Sequence, residues 1–120
     1  MAVLEMTYES IDPGIGYIRL NGRLDIPGVQ EVDLKFTAHT STRRKPVIVD
    51  LSGVSMITSM GLAMLISNAK VLHGQSIPMI LLRPIPQVEK VIRMSALDEI
   101  LCIEQDLDAA IKKIKEPSVF

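Results

Sequence analysis

At 120 residues and 48% apolar side chains, the chain is long enough to bury one core without disulfides or metals. No stretch nears the roughly 18–20 consecutive apolar residues of a membrane span, and Met1-Ala2-Val3-Leu4-Glu5 lacks the basic and apolar segments of a secretory signal. A net charge of −1, no Trp, two Phe and two Tyr argue against a basic nucleic-acid face or a base-stacking platform. The single cysteine, Cys102, cannot form an internal disulfide, which fits a reducing cytoplasm. One cytoplasmic domain over residues 1–120 is expected, with its core at about 4–114.

Residues 3–9 alternate, with Leu4, Met6 and Tyr8 opposing Glu5, Thr7 and Glu9, as a half-buried strand does. Asp12-Pro13-Gly14 is turn chemistry, and Tyr17–Leu20 returns as a second strand. Asp25, Pro27 and Gly28 announce a helix over about 27–40 with Val29, Val32 and Phe36 inward. Residues 40–46 form a polar connector in which Arg43, Arg44 and Lys45 read as solvated. The run Val47–Leu51 is a buried strand that Ser52-Gly53 would end. A helix opens at Ser59 and is expected to stop at Gly74. Ile77–Leu82 is the next strand, and Pro84-Ile85-Pro86 starts a helix with Val88, Val91 and Ile92 inside. Leu97 and Asp98 lead to a last strand, Ile100–Glu104, and a terminal helix carries Leu107, Ala110, Ile111 and Ile114 on one stripe. The order ββαβαβαβα predicts an α/β fold. Its sheet is mostly parallel, with an antiparallel N-terminal edge strand and about four helices. The pattern leaves open whether the helices cover one face or both.

The strand–loop–helix unit Val47–Leu62 is the most informative stretch. A serine at a helix start caps free backbone N–H groups, or offers its oxygen to a kinase where those N–H groups and the helix dipole favour phosphate. The capping-box partner is absent, since Leu62 stands three residues after Ser59. No charge lies between Ser59 and Ala69. Leu62, Leu65, Ile66, Ala69 and Leu72 form the expected core stripe. Met60, Met64, Ser67 and Val71 lie opposite, and an exposed methionine strip is suited to docking.

Asn21-Gly22-Arg23-Leu24-Asp25, Asp50-Leu51-Ser52-Gly53-Val54 and Thr58-Ser59-Met60-Gly61-Leu62 together resemble the STAS domain, more narrowly the free-standing bacterial anti-sigma factor antagonists. Pro84-Ile85-Pro86, Val91-Ile92-Arg93 and Met94–Leu97 resemble that family's penultimate helix. The resemblance covers about Leu4 to Ile114. It implies phosphorylation of Ser59 by an anti-sigma factor that is itself an ATPase-type serine kinase, and it admits a phosphatase acting on phospho-Ser59. It also implies that Asp25 lies near Ser59. Taken with the methionine side of the helix, the expected partner contacts are Asp25, Thr58, Ser59, Met60, Gly61 and Met64. One position departs from the pattern. Thr58 stands where the family usually has aspartate, which removes a negative charge and adds a second candidate acceptor.

Other chemistry is sparse. No Gly-rich phosphate loop, Gly-x-Ser-x-Gly elbow or CxxC pair is present. His39 and His73 lack metal-spaced partners, and Cys102 lies in an apolar run that predicts an inert buried thiol. Asp50, expected at a strand end, reads as a loop-bonding residue. No catalytic residue, metal or cofactor is expected. The implied function is an anti-sigma factor antagonist that holds its kinase when Ser59 is unmodified and releases it when phosphorylated. The alternative is a constitutive STAS adaptor in a larger complex.

Overall fold

The computed structural model describes residues 4–95 and 100–116. Among them the elements run β1 (Leu4–Asp12), β2 (Ile15–Leu24), α1 (Ile26–His39), β3 (Val47–Ile57), α2 (Ser59–His73), β4 (Met79–Leu82), α3 (Pro86–Met94), β5 (Cys102–Glu104) and α4 (Leu107–Lys115). The expected element order is present. Leu97 and Asp98, expected to lead into the last strand, Ala96 and Leu97 of the segment resembling the family's penultimate helix, and Val3 of the first strand lie outside the described residues.

The sheet has five strands in the order β1-β2-β3-β4-β5, with β1 antiparallel to β2 and the later pairs parallel. That order answers the question of the helix faces. Each crossover advances one strand in the same direction, so right-handed connections carry α1, α2 and α3 to one face. Val29, Val32 and Phe36 of α1, Leu65, Ala69 and Leu72 of α2, and Val88 and Ile92 of α3 share one core with Leu20, Val49, Leu51 and Leu81. On the other face Ala110 of α4 packs with Ile15, Tyr17, Ile48, Ile80 and Leu82, flanked by the partly buried Leu107, Ile111 and Ile114. Ile48 and Val49 therefore enter opposite cores, which is why this strand shows no polar alternation.

Several boundaries differ from expectation. β3 does not end at Ser52-Gly53 but continues to Ile57, because β2 also continues and stays paired through Asn21↔Gly53, Gly22↔Val54 and Leu24↔Ile57. Gly53 is a close-approach position: a Cβ there would sit 1.8 Å from Asn21 Oδ1. α2 ends at His73 with Gly74 as its C-cap, as expected, but Gly74 keeps a right-handed φ of −62°, and the left-handed residue of the ending is Ser76, at φ 59°. Ser76 N–H donates to the His73 carbonyl at 3.0 Å and Ile77 N–H to the Leu72 carbonyl at 2.9 Å, the paired bonds of a Schellman ending. Val91 is on the open side of α3. Arg43 is not a free loop cation, since its guanidinium lies 5.3 Å from the Tyr8 ring centroid, and that ring stacks on His39. Cys102 is half-buried rather than enclosed, because β5 is an edge strand.

The extension of β3 also relocates Asp50 to mid-strand, where it is 1% exposed on the α4 face. Its carboxylate accepts hydrogen bonds from the Tyr17 hydroxyl, from the Ser52 N–H at 2.9 Å and from the Ser52 hydroxyl at 2.7 Å, and Arg19 Nε lies 3.5 Å away. Burial alone would raise its pKa, but the bonds from Tyr17 and Ser52 and the Arg19 charge outweigh it and hold the carboxyl below its ordinary value. Burial, and next the bond to Asp50, push the Tyr17 phenol up. A depressed carboxyl stabilises the fold above its unfolded pKa of about 4, and that contribution disappears as pH falls through the folded value. Thermal unfolding followed from pH 7 down to pH 3 should show this loss in the wild-type chain. Asp50→Asn should be less stable at pH 7 and show a shallower acid slope; an identical slope would rule out this source.

Candidate functional site

The C-terminal end of β2 is the seat of two helix starts. Asp25 is the N-cap of α1, with Oδ1 accepting the Gly28 N–H at 3.0 Å and Oδ2 accepting Arg23 Nε at 3.1 Å. Thr58 is the N-cap of α2. Its N–H and hydroxyl both donate to the Leu24 carbonyl, at 3.0 and 3.1 Å, while its Oγ1 accepts the Gly61 N–H at 3.5 Å. The two starts share one arrangement, a capping oxygen three residues ahead of a glycine. In each, the glycine packs against β2 backbone. A Cβ on Gly28 would lie 2.1 Å from the Arg23 carbonyl oxygen, and one on Gly61 would lie 2.4 Å from that of Leu24.

This settles which hydroxyl caps. Thr58, not Ser59, occupies the N-cap, and its side chain is engaged as donor and acceptor at once. Ser59 is the first residue of the helix, is exposed, and makes no side-chain hydrogen bond among the described residues. A group attached to its oxygen would sit at the positive end of α2, where anions are favoured by about 0.3–1 kcal/mol at a solvent-exposed end. Thr58 fills the capping role that aspartate can also fill, and its hydroxyl adds a donor bond to Leu24 that an ionised carboxylate cannot make.

Exposed apolar side chains stand at both helix starts and at the end of β3. Met60 is 47% exposed, Met56 40% and Ile26 55%. Met64 does not belong to this surface. It is 4% exposed because α1 packs along that flank of α2, so of the expected outward pair Met60 and Met64 only Met60 is exposed. Met64 instead forms part of a shallow groove of about 250 Å3 between the helices, with Val29, Asp33, Met60, Ala63 and Ser67. Asn68 is also buried in α2, its Nδ2 donating to the Met64 carbonyl and its Oδ1 accepting from Ser41. Gly61 is buried against Leu24 and supplies position rather than contact.

Asp25, Thr58, Ser59 and Met60 thus meet at one junction, with Asp25 one residue beyond the carbonyl on which Thr58 rests. Sequence reasoning misses Arg23, Ile26 and Met56. Arg23 stands two residues before a capping aspartate, a spacing legible in the chain. Met56 falls in an expected loop because Ser52-Gly53 reads as the end of β3. Among the described residues no cluster of His, Cys, Asp or Glu could hold a metal ion, and no helix is long and apolar enough to cross a membrane.

The STAS domain pattern matches residues 10–110. The chain belongs to the STAS domain family. No curated protein sequence matches it. Among solved structures, this STAS domain is similar to an anti-sigma factor antagonist from Mycobacterium paratuberculosis, at 21% identity and a TM-score of 0.84, covering 94% of this chain and 95% of that one. It is also similar to the anti-sigma factor antagonist SpoIIAA in its unphosphorylated form (20% identity, TM-score 0.72, 93% and 99% coverage). The third, the Bacillus cell fate determinant SpoIIAA in the phosphorylated form, matches at 22% identity and a TM-score of 0.69, with 92% and 100% coverage. At these identities the likeness establishes the fold.

Two stability measurements check the junction. Gly61→Ala should lower stability by about 1–3 kcal/mol, since the methyl group meets fixed backbone, whereas an exposed helical Gly→Ala change would raise it. Thr58→Ala should cost about 1–2 kcal/mol through the lost cap, and Ser59→Ala should change the melting temperature little.

Proposed function

We propose that this STAS domain is an anti-sigma factor antagonist controlled by phosphorylation of Ser59. Unmodified, it docks on an ATPase-type serine kinase that also acts as the anti-sigma factor, and so frees a sigma factor. Phosphorylated, it lets the kinase go, and a phosphatase acting on phospho-Ser59 resets it. The docking surface is Ser59 with Met60, Met56 and Ile26, flanked by Asp25.

The observation that carries this reading is the division of labour between the adjacent hydroxyls. Thr58 performs the local structural task, which leaves Ser59 exposed and uncommitted at the start of α2. Thr58 is accordingly not the acceptor, because its oxygen is turned into the β2–α2 junction. A phosphoserine carries about −1.5 to −2 charge at pH 7. In the free protein that charge lies in water at a helix N-terminus. Against a partner covering the apolar residues around it, the charge would be stripped of water beside Asp25, and binding would fail.

Ser59→Asp should therefore bind the kinase far more weakly than wild type while its melting temperature stays within a few degrees. Affinity capture from lysate of the source organism supplemented with ATP, with mass spectrometry of both captured proteins and bait, reads this directly. Phosphate should appear on Ser59 and vanish in Ser59→Ala. Equal capture of the same kinase by wild type and Ser59→Asp would instead mean a constitutive adaptor.

A further inference from the structure

The junction poses an electrostatic problem that the phosphorylation reading leaves unsolved. A dianion on Ser59 would share this junction with the Asp25 carboxylate, and like charges brought near one another repel. Both surround the Leu24 carbonyl. Thr58 donates twice to it, Gly61 packs on it, and Asp25 follows it in the chain. Arg23 precedes it. In the β2–β3 ladder Arg23 pairs with Met56 and Leu24 with Ile57, which sets Arg23 opposite a residue three positions before Ser59 in the chain. Its side chain is 52% exposed. Only Nε is engaged, in the bond to Asp25 Oδ2, and the two Nη groups make no hydrogen bond among the described residues.

We infer that Arg23 is the phosphate-binding residue for phospho-Ser59, its Nη groups taking the phosphate while Nε keeps Asp25. This deepens the phosphorylation reading and rests on it. Guanidinium geometry suits the task. Its five N–H donors lie in one plane and two edges of that plane accept different anions, which a lysine ammonium does less well. Bridged in this way, the phosphate and Asp25 share one cation. The Asp25 Oδ1 bond to Gly28 is untouched, so the α1 cap survives modification. Phosphorylation then alters the partner surface without loosening the helix starts beneath it.

The test uses the full chain with phosphoserine genetically encoded at position 59, in wild-type, Arg23→Gln and Arg23→Lys backgrounds. Phosphorus NMR titration reads the second ionisation of the phosphate, about 6 in an unperturbed phosphoserine. It should lie lower in the wild-type background than in Arg23→Gln by roughly half a unit or more, with Arg23→Lys between them. The difference should shrink in about 1 M salt. Unmodified Arg23→Gln should melt within a few degrees of wild type, which separates phosphate binding from a general loss of structure. The same ionisation in wild type and Arg23→Gln would overturn the inference. Because the titration needs no partner, it stands apart from the kinase-capture experiment. Capture unaffected by Ser59→Asp would defeat the switch, and an Arg23-independent titration would defeat the phosphate site alone.

Discussion

The carbonyl of Leu24 is the point to which the functional end of the molecule is tied. It ends a strand, so it has no further ladder partner, yet it is enclosed and must be satisfied. Thr58 satisfies it twice, with its backbone N–H and its hydroxyl. That bond fixes where β3 becomes α2, and hence which residue is the cap and which is the first of the helix. Gly61 permits the approach, since any Cβ there would overlap the same carbonyl. Gly28 does the same for α1 against the Arg23 carbonyl. Two helices are thereby seated side by side on the end of one strand, and Asp25 and Ser59 are brought together as a consequence.

A rigid seat suits the proposed phosphorylation of Ser59, in which the surface would gain charge rather than move. The groups beneath Ser59 are backbone–backbone bonds, two capped helix starts and glycine contacts, none of which involves the serine oxygen. Modification can then change what the surface attracts or repels while the fold carries on unaltered. The exposed methionines contribute a second property. Met56 and Met60 are exposed, flexible and polarisable, properties that suit the proposed docking of a partner.

The far side of the sheet is built differently. Strand order sends α1, α2 and α3 to one face and leaves α4 to cover part of the other. Beside the α4 core, Asp50 forms a hydrogen-bonded polar set with Tyr17, Arg19 and Ser52. A buried carboxylate is tolerable there because each of its oxygens is occupied.

Much of this was legible in the chain. The alternation of β1, the unbroken Val47–Leu51 run, the Asp25-Ile26-Pro27 helix start and the stripe of α4 carried the element order, because each is a local preference expressed over a few residues. The resemblance rests on the segments around Asp25 and Thr58, which the tertiary structure brings to one junction. What needed the tertiary structure was every decision that depends on a neighbour distant in sequence. Ser52-Gly53 reads as a break, and only pairing with Asn21 and Gly22 makes it strand. Met64 reads as one of an exposed pair, and only the packing of α1 buries it. Ser59 reads as either cap or phosphate acceptor, with Thr58 as a second candidate acceptor. The Leu24 carbonyl, 34 residues earlier than Thr58, takes one and leaves the other free. Local sequence sets what each segment prefers to be, and contacts across the sheet decide which side chain is spent on structure and which is left for a partner.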